Sequence, residues 1–431
     1  MSEVLSMDWL QAIARRTRCI CRSGNAPVLP LFLALLGALY GAQPLRAVVT
    51  APNGVHTDAL NLTPEVHQAY LHFYDLDYDG AMLRFQKIQQ AHPDDPISTV
   101  YVLNTTVFRE LYRLDLLDTT LYVHDGFMTG KHPVVEDMRV RAQVEAQSAQ
   151  AIRIADEQLR KDPQDVDALF ARGYARSLLA TYMAMVEKSY IPALRMALAA
   201  RRDNERVLRL DPKYVDAKLV VGVHEYVVGS LAIPFKLLAG LVGINGSKSK
   251  GLAYLRDDGQ NGIITATGAS TALALFLRRE ARYQDAIAVI QGLEKQYPRD
   301  FLFHLEKANL VKDAGEGAPA IAEYRALLQQ ARRPGYFPNA HMEMAWYGLG
   351  EALRGQRDYA SAADAYQQAA LQPTISPLLK RRTELAAGEM YDLLHQRVAA
   401  QQQYAKVIAF GGDSTEVERA RRFQHSPYKG R

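Results

Sequence analysis

The chain has 431 residues, of which 48% are hydrophobic and 23% are charged. This apolar content is enough for a large buried core, so the composition excludes a disordered chain. The 51 basic and 47 acidic residues leave a formal charge of only +4. A charge this balanced does not favour a polyanionic partner, and we expect no nucleic-acid binding.

The N-terminal segment carries four arginines between positions 15 and 22, then an apolar run over 28–42 and small residues up to Ala47. This order is typical of a signal peptide, and the run is shorter than the roughly 20 apolar residues of a spanning helix. We expect residues 1–47 to direct export to a periplasm or bacterial-type envelope and then to be removed. An uncleaved anchor and a buried core helix are the alternatives. Cys19 and Cys21 precede the run, so the exported chain would contain no thiol and no disulfide.

Beyond the export segment the apolar spacing is helical and proline is confined to segment ends, which predicts an all-α chain. The clearest unit covers 345–373. Its residues at fixed offsets are Trp346, Leu349, Gly350, Leu353, Ala362, Tyr366, Ala369 and Pro373. This spacing resembles the tetratricopeptide repeat, in which small residues mark the crossing of two helices and larger ones fill the space between pairs.

The same offsets recur in three other places along the chain. They are occupied by Ala286, Ile290, Leu293 and Pro298, by Ala320, Tyr324 and Leu327, and by Tyr78, Ala81, Phe85, Ile88 and Pro93. We therefore predict a tetratricopeptide-type helix-turn-helix solenoid that winds as a right-handed superhelix. The expected segments are 1–47 for export, 48–138 with degenerate repeat helices, 139–262 with elongated middle helices, 263–410 with C-terminal repeats, and 411–431 as a polar tail.

A second resemblance covers residues 222–277. It rests on a glycine-rich entry, Ser230-Leu231 with Pro234, Lys236-Leu237-Leu238, Gly243 and Gly246, and Gly251-Leu252 with Leu255. The segment is similar to the inclusion-body-clearance and tetratricopeptide repeat 39 type family and to bacterial exported repeat proteins. The resemblance implies an adaptor or scaffold that binds a partner, and it supplies no catalytic residues.

Three motifs suggest chemistry, and each is incomplete. Asp75 to Gly80 matches the start of a calcium loop, but its twelfth position is Gln86 instead of a glutamate, so we expect a turn between repeat helices. Four residues after His224 stands Val228 where a zinc protease needs a second histidine. Gly246 lies in glycine-rich sequence in the wrong order for a phosphate loop. We expect no enzyme activity, no cofactor and no metal ion.

Binding in such a solenoid usually uses the concave face, which the first helix of each pair lines. The residues eight places before Ala286, Ala320 and Ala362 are Arg278, Lys312 and Arg354. We predict that they form a basic stripe for an acidic peptide or another carboxylate-bearing partner, the alternative being an ordinary solvated helix face. Tetratricopeptide domains that bind chaperone tails carry a lysine seven positions before such a stripe position and an asparagine three positions before it. Those positions hold Leu305, Asn309, Tyr347 and Glu351, so that clamp is absent.

The sequence thus predicts a non-catalytic exported scaffold that binds a protein or peptide partner on its concave face. One alternative is a periplasmic component that encloses a small ligand and serves a transporter. The other is a membrane-peripheral protein that uses the apolar segment Leu219–Ile244, although a buried helix pair accounts for the same residues. The sequence does not identify the partner or the oligomeric state.

Overall fold

The computed structural model describes residues 49–51, 54–123, 135–231 and 245–430. They belong to a compact unit, Val48–Arg431. The predicted export segment, 1–47, lies outside the described residues. Two short strands open the described chain, β1 at Val49–Thr50 and β2 at His56–Thr57, and they pair antiparallel.

The rest of the described chain is helical, as predicted. The helices are α1 Pro64–Tyr74, α2 Tyr78–Ala91, α3 Pro96–Arg113, α4 Met138–Lys161, α5 Val166–Met185, α6 Tyr190–Leu210, α7 Lys218–Gly229, α8 Lys248–Asn261, α9 Ala266–Arg279, α10 Tyr283–Gln296, α11 Phe301–Asp313, α12 Gly317–Ala331, α13 Met342–Gly355, α14 Tyr359–Ala370, α15 Pro377–Leu393, α16 Arg397–Ala409 and α17 Thr415–His425. Short 3-10 helices lie at Ala59–Leu62, Thr119–Tyr122 and Val215–Ala217.

Aspartate side chains start many of these helices. Asp77, Asp165 and Asp358 each accept a hydrogen bond from the backbone N–H three residues on, which satisfies a donor that the helix itself cannot pair. Asp300 accepts from the N–H groups of Leu302 and Phe303 in the same way. The acidic turns of the sequence are therefore helix caps.

The helices stack as a solenoid of tetratricopeptide-type pairs. Each helix contacts the next along the chain, and the first helices of successive pairs also contact one another, as in the row α11, α13, α15 and α17. The predicted small positions Ala286, Ala320 and Ala362 are completely buried. A Cβ atom at Gly350 would lie 2.6 Å from Cε1 of Tyr366, which confirms that these two helices cross too closely for a side chain there.

The middle and the end of the chain depart from the regular repeat. Among the described helices, the three longest are α4, α5 and α6, with 24, 20 and 21 residues. The expectation of a polar tail after Gly411 is wrong, because α17 packs against α15 and α16. Its buried residues Val417, Ala420 and Phe423 form one apolar face, and the charged residues between them cover the outer face.

The N-terminal helices also reach the C-terminal repeats. The Tyr74 ring lies 4.6 Å from that of Tyr297, and Asn339 donates through Nδ2 to the Leu76 carbonyl at 2.6 Å. After α3, the segment Leu114–Val123 continues this contact along the C-terminal pairs. The contact places this segment at the face where the sequence predicts binding.

Candidate functional site

A cavity of about 310 Å³ lies on the concave face of the C-terminal pairs. The first helices α9, α11, α13 and α15 line it on one side, and Asp118, Thr120 and Val123 line it on the other. The helical lining consists of Arg278, Leu305, Asn309, Lys312, Asp313, Met344, Tyr347, Gly348, Glu351 and Arg382. This set includes the four residues that stand at the positions of a chaperone-tail clamp, Leu305, Asn309, Tyr347 and Glu351. The repeat frame therefore locates the groove, although its residues differ from those of the clamp.

The segment Leu114–Val123 closes part of this groove through polar contacts. Nη1 of Arg278 donates to Oγ1 of Thr119 at 2.8 Å, and Thr119 in turn donates to Glu306. Nη1 of Arg279 donates to the Tyr122 carbonyl at 2.7 Å. The concave face is therefore partly occupied by the chain's own backbone.

The prediction of an exposed basic stripe is wrong for Arg278. Its side chain is only 1% exposed and pairs with Glu306 and Asp313. Burial disfavours the guanidinium charge, but these two carboxylates outweigh burial and raise the pKa of Arg278 above its ordinary value. Arg278 is thus an internal ion-pair centre that holds α9 against α11.

The other two stripe residues lie in different surroundings. Nζ of Lys312 is 3.3 Å from Oδ1 of Asp313, and the lysine lines the cavity. Arg354 lies outside the cavity lining, and its Nη2 is 3.1 Å from Glu389 and donates to the Tyr428 hydroxyl at 2.7 Å. The structure brings Arg278 and Lys312 together at one cavity and leaves Arg354 out, so binding of a partner by all three stays a prediction.

Arg382 on α15 is a cavity residue that the sequence analysis missed. Its guanidinium carbon lies 4.8 Å from the Tyr347 ring centre, and Nη2 donates to the Tyr347 hydroxyl at 3.4 Å. Burial disfavours its charge, and Tyr347 and Asp118 outweigh burial to raise the pKa of Arg382. Among the described residues, Arg382 forms no ion pair. The predicted stripe follows one register of the repeat, which on α15 falls at Asp392, and Arg382 lies ten positions, nearly three turns, earlier on that helix.

The predicted calcium-like segment is a turn between α1 and α2. Oδ2 of Asp77 is 2.7 Å from Nδ1 of His72, while Asp75 and Asp79 face two different arginines, Arg299 and Arg109. The three carboxylates therefore do not converge, and the repeat frame correctly predicts a turn.

The other two incomplete motifs are packing contacts. Nη1 of Arg201 lies 2.7 Å from Nε2 of His224, and burial together with this arginine lowers the pKa of His224 to about 4. A Cβ atom at Gly246 would lie 2.7 Å from the Glu225 carbonyl oxygen, so glycine is required by a close backbone approach. Within the described ranges, the one group of three side chains placed to share a metal ion is Asp115, His341 and Glu343.

The apolar segment Leu219–Ile244 is described only as far as Leu231. There, α7 packs against α8 and buries Val221, Gly222 and Tyr226, as the buried-helix interpretation predicts. Residues 232–244 lie outside the described residues. Among the described helices, none has both the length and the apolar character needed to cross a bilayer.

A second, shallower groove of about 810 Å³ lies between α4, α5 and α6. Three of its four arginines are engaged within the chain: Arg153 pairs with Glu157, Arg172 pairs with Asp156 and Asp203, and Arg206 donates to the Pro163 carbonyl. These internal contacts make it a weaker candidate for an anionic partner than the concave cavity.

The repeat offsets and the helix contacts together define the class: the chain is a tetratricopeptide-type α-solenoid with a groove on its concave face. No protein-family model matches the chain, and no curated protein is detectably similar to it. The finer resemblance of residues 222–277 therefore stays a prediction.

Solved structures give similarities at low identity. A tetratricopeptide repeat protein from Parabacteroides merdae is 12% identical, with 75% of this chain and 97% of that chain covered and a TM-score of 0.34. Yeast Tom70 is 10% identical, with coverage of 84% and 88% and a TM-score of 0.36. The human IFIT1 dimer with PPP-AAAA is 13% identical, with coverage of 85% and 83% and a TM-score of 0.41. No functional property of this chain follows from similarities of this size.

Proposed function

We propose that the chain is a non-catalytic scaffold that binds an acidic protein segment in the concave groove between α9 and α15. The observation that carries the proposal is Arg382. Its charge faces the cavity on an aromatic ring, whereas the neighbouring cation Arg278 is neutralised by Glu306 and Asp313.

An acidic side chain of a partner would complete the contacts that Arg382 lacks. A guanidinium presents two parallel N–H groups to a carboxylate, and the contact with the Tyr347 ring holds Arg382 at the cavity. Lys312 lines the same cavity, where it pairs with Asp313. Arginine and tyrosine are also enriched among the residues that dominate binding energy at protein interfaces.

The test is binding of a fluorescein-labelled hexaglutamate peptide to the full chain, followed by fluorescence anisotropy. We expect Arg382→Gln to weaken binding at least tenfold, because a charge-assisted hydrogen bond contributes about 1.5–3 kcal/mol. Arg325→Gln, which removes an exposed arginine on α12, is the matched control and should leave binding unchanged. Equal loss in both variants, or no loss in either, would remove Arg382 from the site.

A second candidate is the binding of a small carboxylate ligand. It is favoured by the segment Asp118–Val123, which closes one side of the groove, and by a volume near the lower end of the roughly 300–1,000 Å³ of small-molecule pockets. Calorimetry with glutarate separates the two candidates. Heat that disappears in Arg382→Gln supports the small ligand, while binding of the hexaglutamate peptide alone supports the scaffold.

Two further expectations, the absence of nucleic-acid binding and possible membrane contact, are tested together with peptide binding. A triphosphate RNA oligonucleotide belongs among the competitors and tests the expected absence of nucleic-acid binding, which the comparisons do not support. Liposome flotation tests the membrane-peripheral alternative, for which Val227 and Leu231 offer exposed apolar side chains next to residues 232–244.

Export forms part of this proposal and is supported by the order of arginines, apolar run and small residues over 15–47. The location would be a periplasm or cell envelope. Mass spectrometry of the protein purified from its cells gives the N-terminus. A start near Gln43 or Val48 agrees with export and cleavage. A retained Met1, or a retained Met7 if translation starts there, contradicts cleavage.

A further inference from the structure

Asp115, His341 and Glu343 bring three ligand atoms together between distant parts of the chain. Nδ1 of His341 lies 3.0 Å from Oδ1 of Asp115 and 3.3 Å from Oε1 of Glu343. Asp115 follows α3 in the segment that enters the concave groove, whereas His341 and Glu343 stand at the start of α13. The three atoms all lie within 4.8 Å of one another.

Two oxygens in this cluster accept no hydrogen bond. Oε1 of Glu343 and Oδ2 of Asp115 are buried and accept no hydrogen bond, although the two residues are only 0% and 3% exposed. A buried carboxylate oxygen without a donor costs free energy that a bound cation would recover. The free Glu343 oxygen is the one that faces the His341 nitrogen.

We propose that these residues bind one divalent transition-metal ion, with zinc as the metal that fits them best. Ligand atoms about 2.0–2.2 Å from a tetrahedral zinc lie roughly 3.3–3.6 Å apart. The 3.0 and 3.3 Å that separate Nδ1 of His341 from the two carboxylate oxygens are close to this spacing. One imidazole nitrogen and two carboxylate oxygens belong to the donor set that zinc accepts, and three protein ligands leave a fourth position for water.

Groups around the cluster hold the ligands in orientation. Thr374 donates to the second oxygen of Glu343 at 2.9 Å, and the Tyr112 ring lies 4.0 Å from the imidazole centre. Such supporting contacts are a regular part of metal sites. The bound ion would link the segment Leu114–Val123 to α13 and so fix it on the concave face. The zinc site does not depend on the acidic partner proposed above, because none of its ligands lines the cavity.

The test is a zinc titration of the full chain by calorimetry after removal of metal with a chelator. Cys19 and Cys21 are replaced by serine in all samples, because thiols also bind zinc. We expect one zinc per chain, and we expect Asp115→Asn and Glu343→Gln to weaken it by more than the roughly 10–100-fold that loss of a supporting group costs. Both variants keep the shape of the side chain, and circular dichroism verifies that each is folded.

His341→Ala should weaken zinc binding to a similar extent. His72→Ala is its control, since His72 faces the single carboxylate Asp77. Cobalt absorption gives an independent readout: one bound cobalt should give the intense visible bands of a four-coordinate ion, and they should vanish in Glu343→Gln. Zinc bound at much less than one per chain would overturn the proposal. Equal affinity in the chain with all three residues replaced would overturn it too.

Discussion

Nδ1 of His341 lies 3.0 Å from Oδ1 of Asp115, although the two residues are 226 positions apart in the chain. The contact shows that the N-terminal helices return to the concave face of the C-terminal pairs. The solenoid is therefore closed on itself at this point, and the groove that a partner would enter is bordered by Leu114–Val123 as well as by repeat helices.

Gly350 is required by the close crossing of α13 and α14. We expect Gly350→Ala to destabilise the protein by about 1–3 kcal/mol, because the new Cβ would lie 2.6 Å from the Tyr366 ring. Gly292→Ala on α10 is the matched control, since its Cβ would meet no atom within 4 Å. Better helix propensity should stabilise that variant by up to about 1 kcal/mol. Urea unfolding followed by circular dichroism measures both, and a stabilised Gly350→Ala would contradict the crossing geometry.

Arg278 should be essential for stability even if it touches no partner. Arg278→Met leaves Glu306 without its cation and Asp313 with Lys312 alone, and breaking a buried pair in this way costs about 3–5 kcal/mol. The variant Arg278→Met with Glu306→Gln and Asp313→Asn removes the orphaned charges and should recover most of the loss. Differential scanning calorimetry compares them. Similar melting temperatures for the single variant and the wild type would show that the ion-pair centre is unimportant.

Asp300 makes stability depend on pH. Burial raises its pKa from the ordinary value of 3.8 to about 8, so the folded state keeps a proton that the unfolded chain releases. The stabilisation from this group is present below about pH 4 and is lost as the pH rises towards 8.

Asp300→Asn caps α11 in the same way but cannot ionise, because asparagine and aspartate are comparable helix caps. Its stability relative to the wild type should therefore increase between pH 5 and 7.5, by at most about 1.4 kcal/mol per pH unit. Asp358→Asn, at an exposed cap, is the matched control. Chemical unfolding at several pH values gives the slope, and a difference that stays constant or falls would contradict a raised pKa at Asp300.

The C-terminal helix α17 should stabilise the last repeat. The Phe423 ring is buried between Tyr404 and Tyr428, with ring centres 5.8 and 5.3 Å away. Phe423→Ala should cost about 3–5 kcal/mol in the unfolding of this region. Hydrogen exchange of α16 and α17 localises the effect, with exposed Glu418→Ala as the control. Unchanged exchange in Phe423→Ala would return the segment to a polar tail.

The repeat core could be predicted from the sequence because its rules are local. A small residue on one helix and an aromatic ring four places later follow from the crossing of neighbours, and Ala320 and Tyr324 are both completely buried. The same offsets occur on α16 at Ala400, Tyr404 and Val407. The helix pair α15 and α16 was therefore also open to prediction.

The groove was harder to predict, since the residues that line it come from distant parts of the chain. Thr119 donates a hydrogen bond to Glu306, which lies 187 positions later in the chain. This contact depends on the direction in which the chain leaves α3. No periodic pattern reports that Arg278 is covered by this segment while Arg382 faces the cavity.

Photo-cross-linking inside cells tests the groove most directly. A photoreactive phenylalanine derivative replaces Tyr347 in the cavity, and Leu371, which is 73% exposed at the end of α14, is replaced in the control chain. We expect cross-links from position 347 to an acidic protein segment, and we expect them to be absent at position 371 and to disappear in Arg382→Gln. The same cross-links from both positions, or cross-links from 347 that survive Arg382→Gln, would contradict binding in the groove.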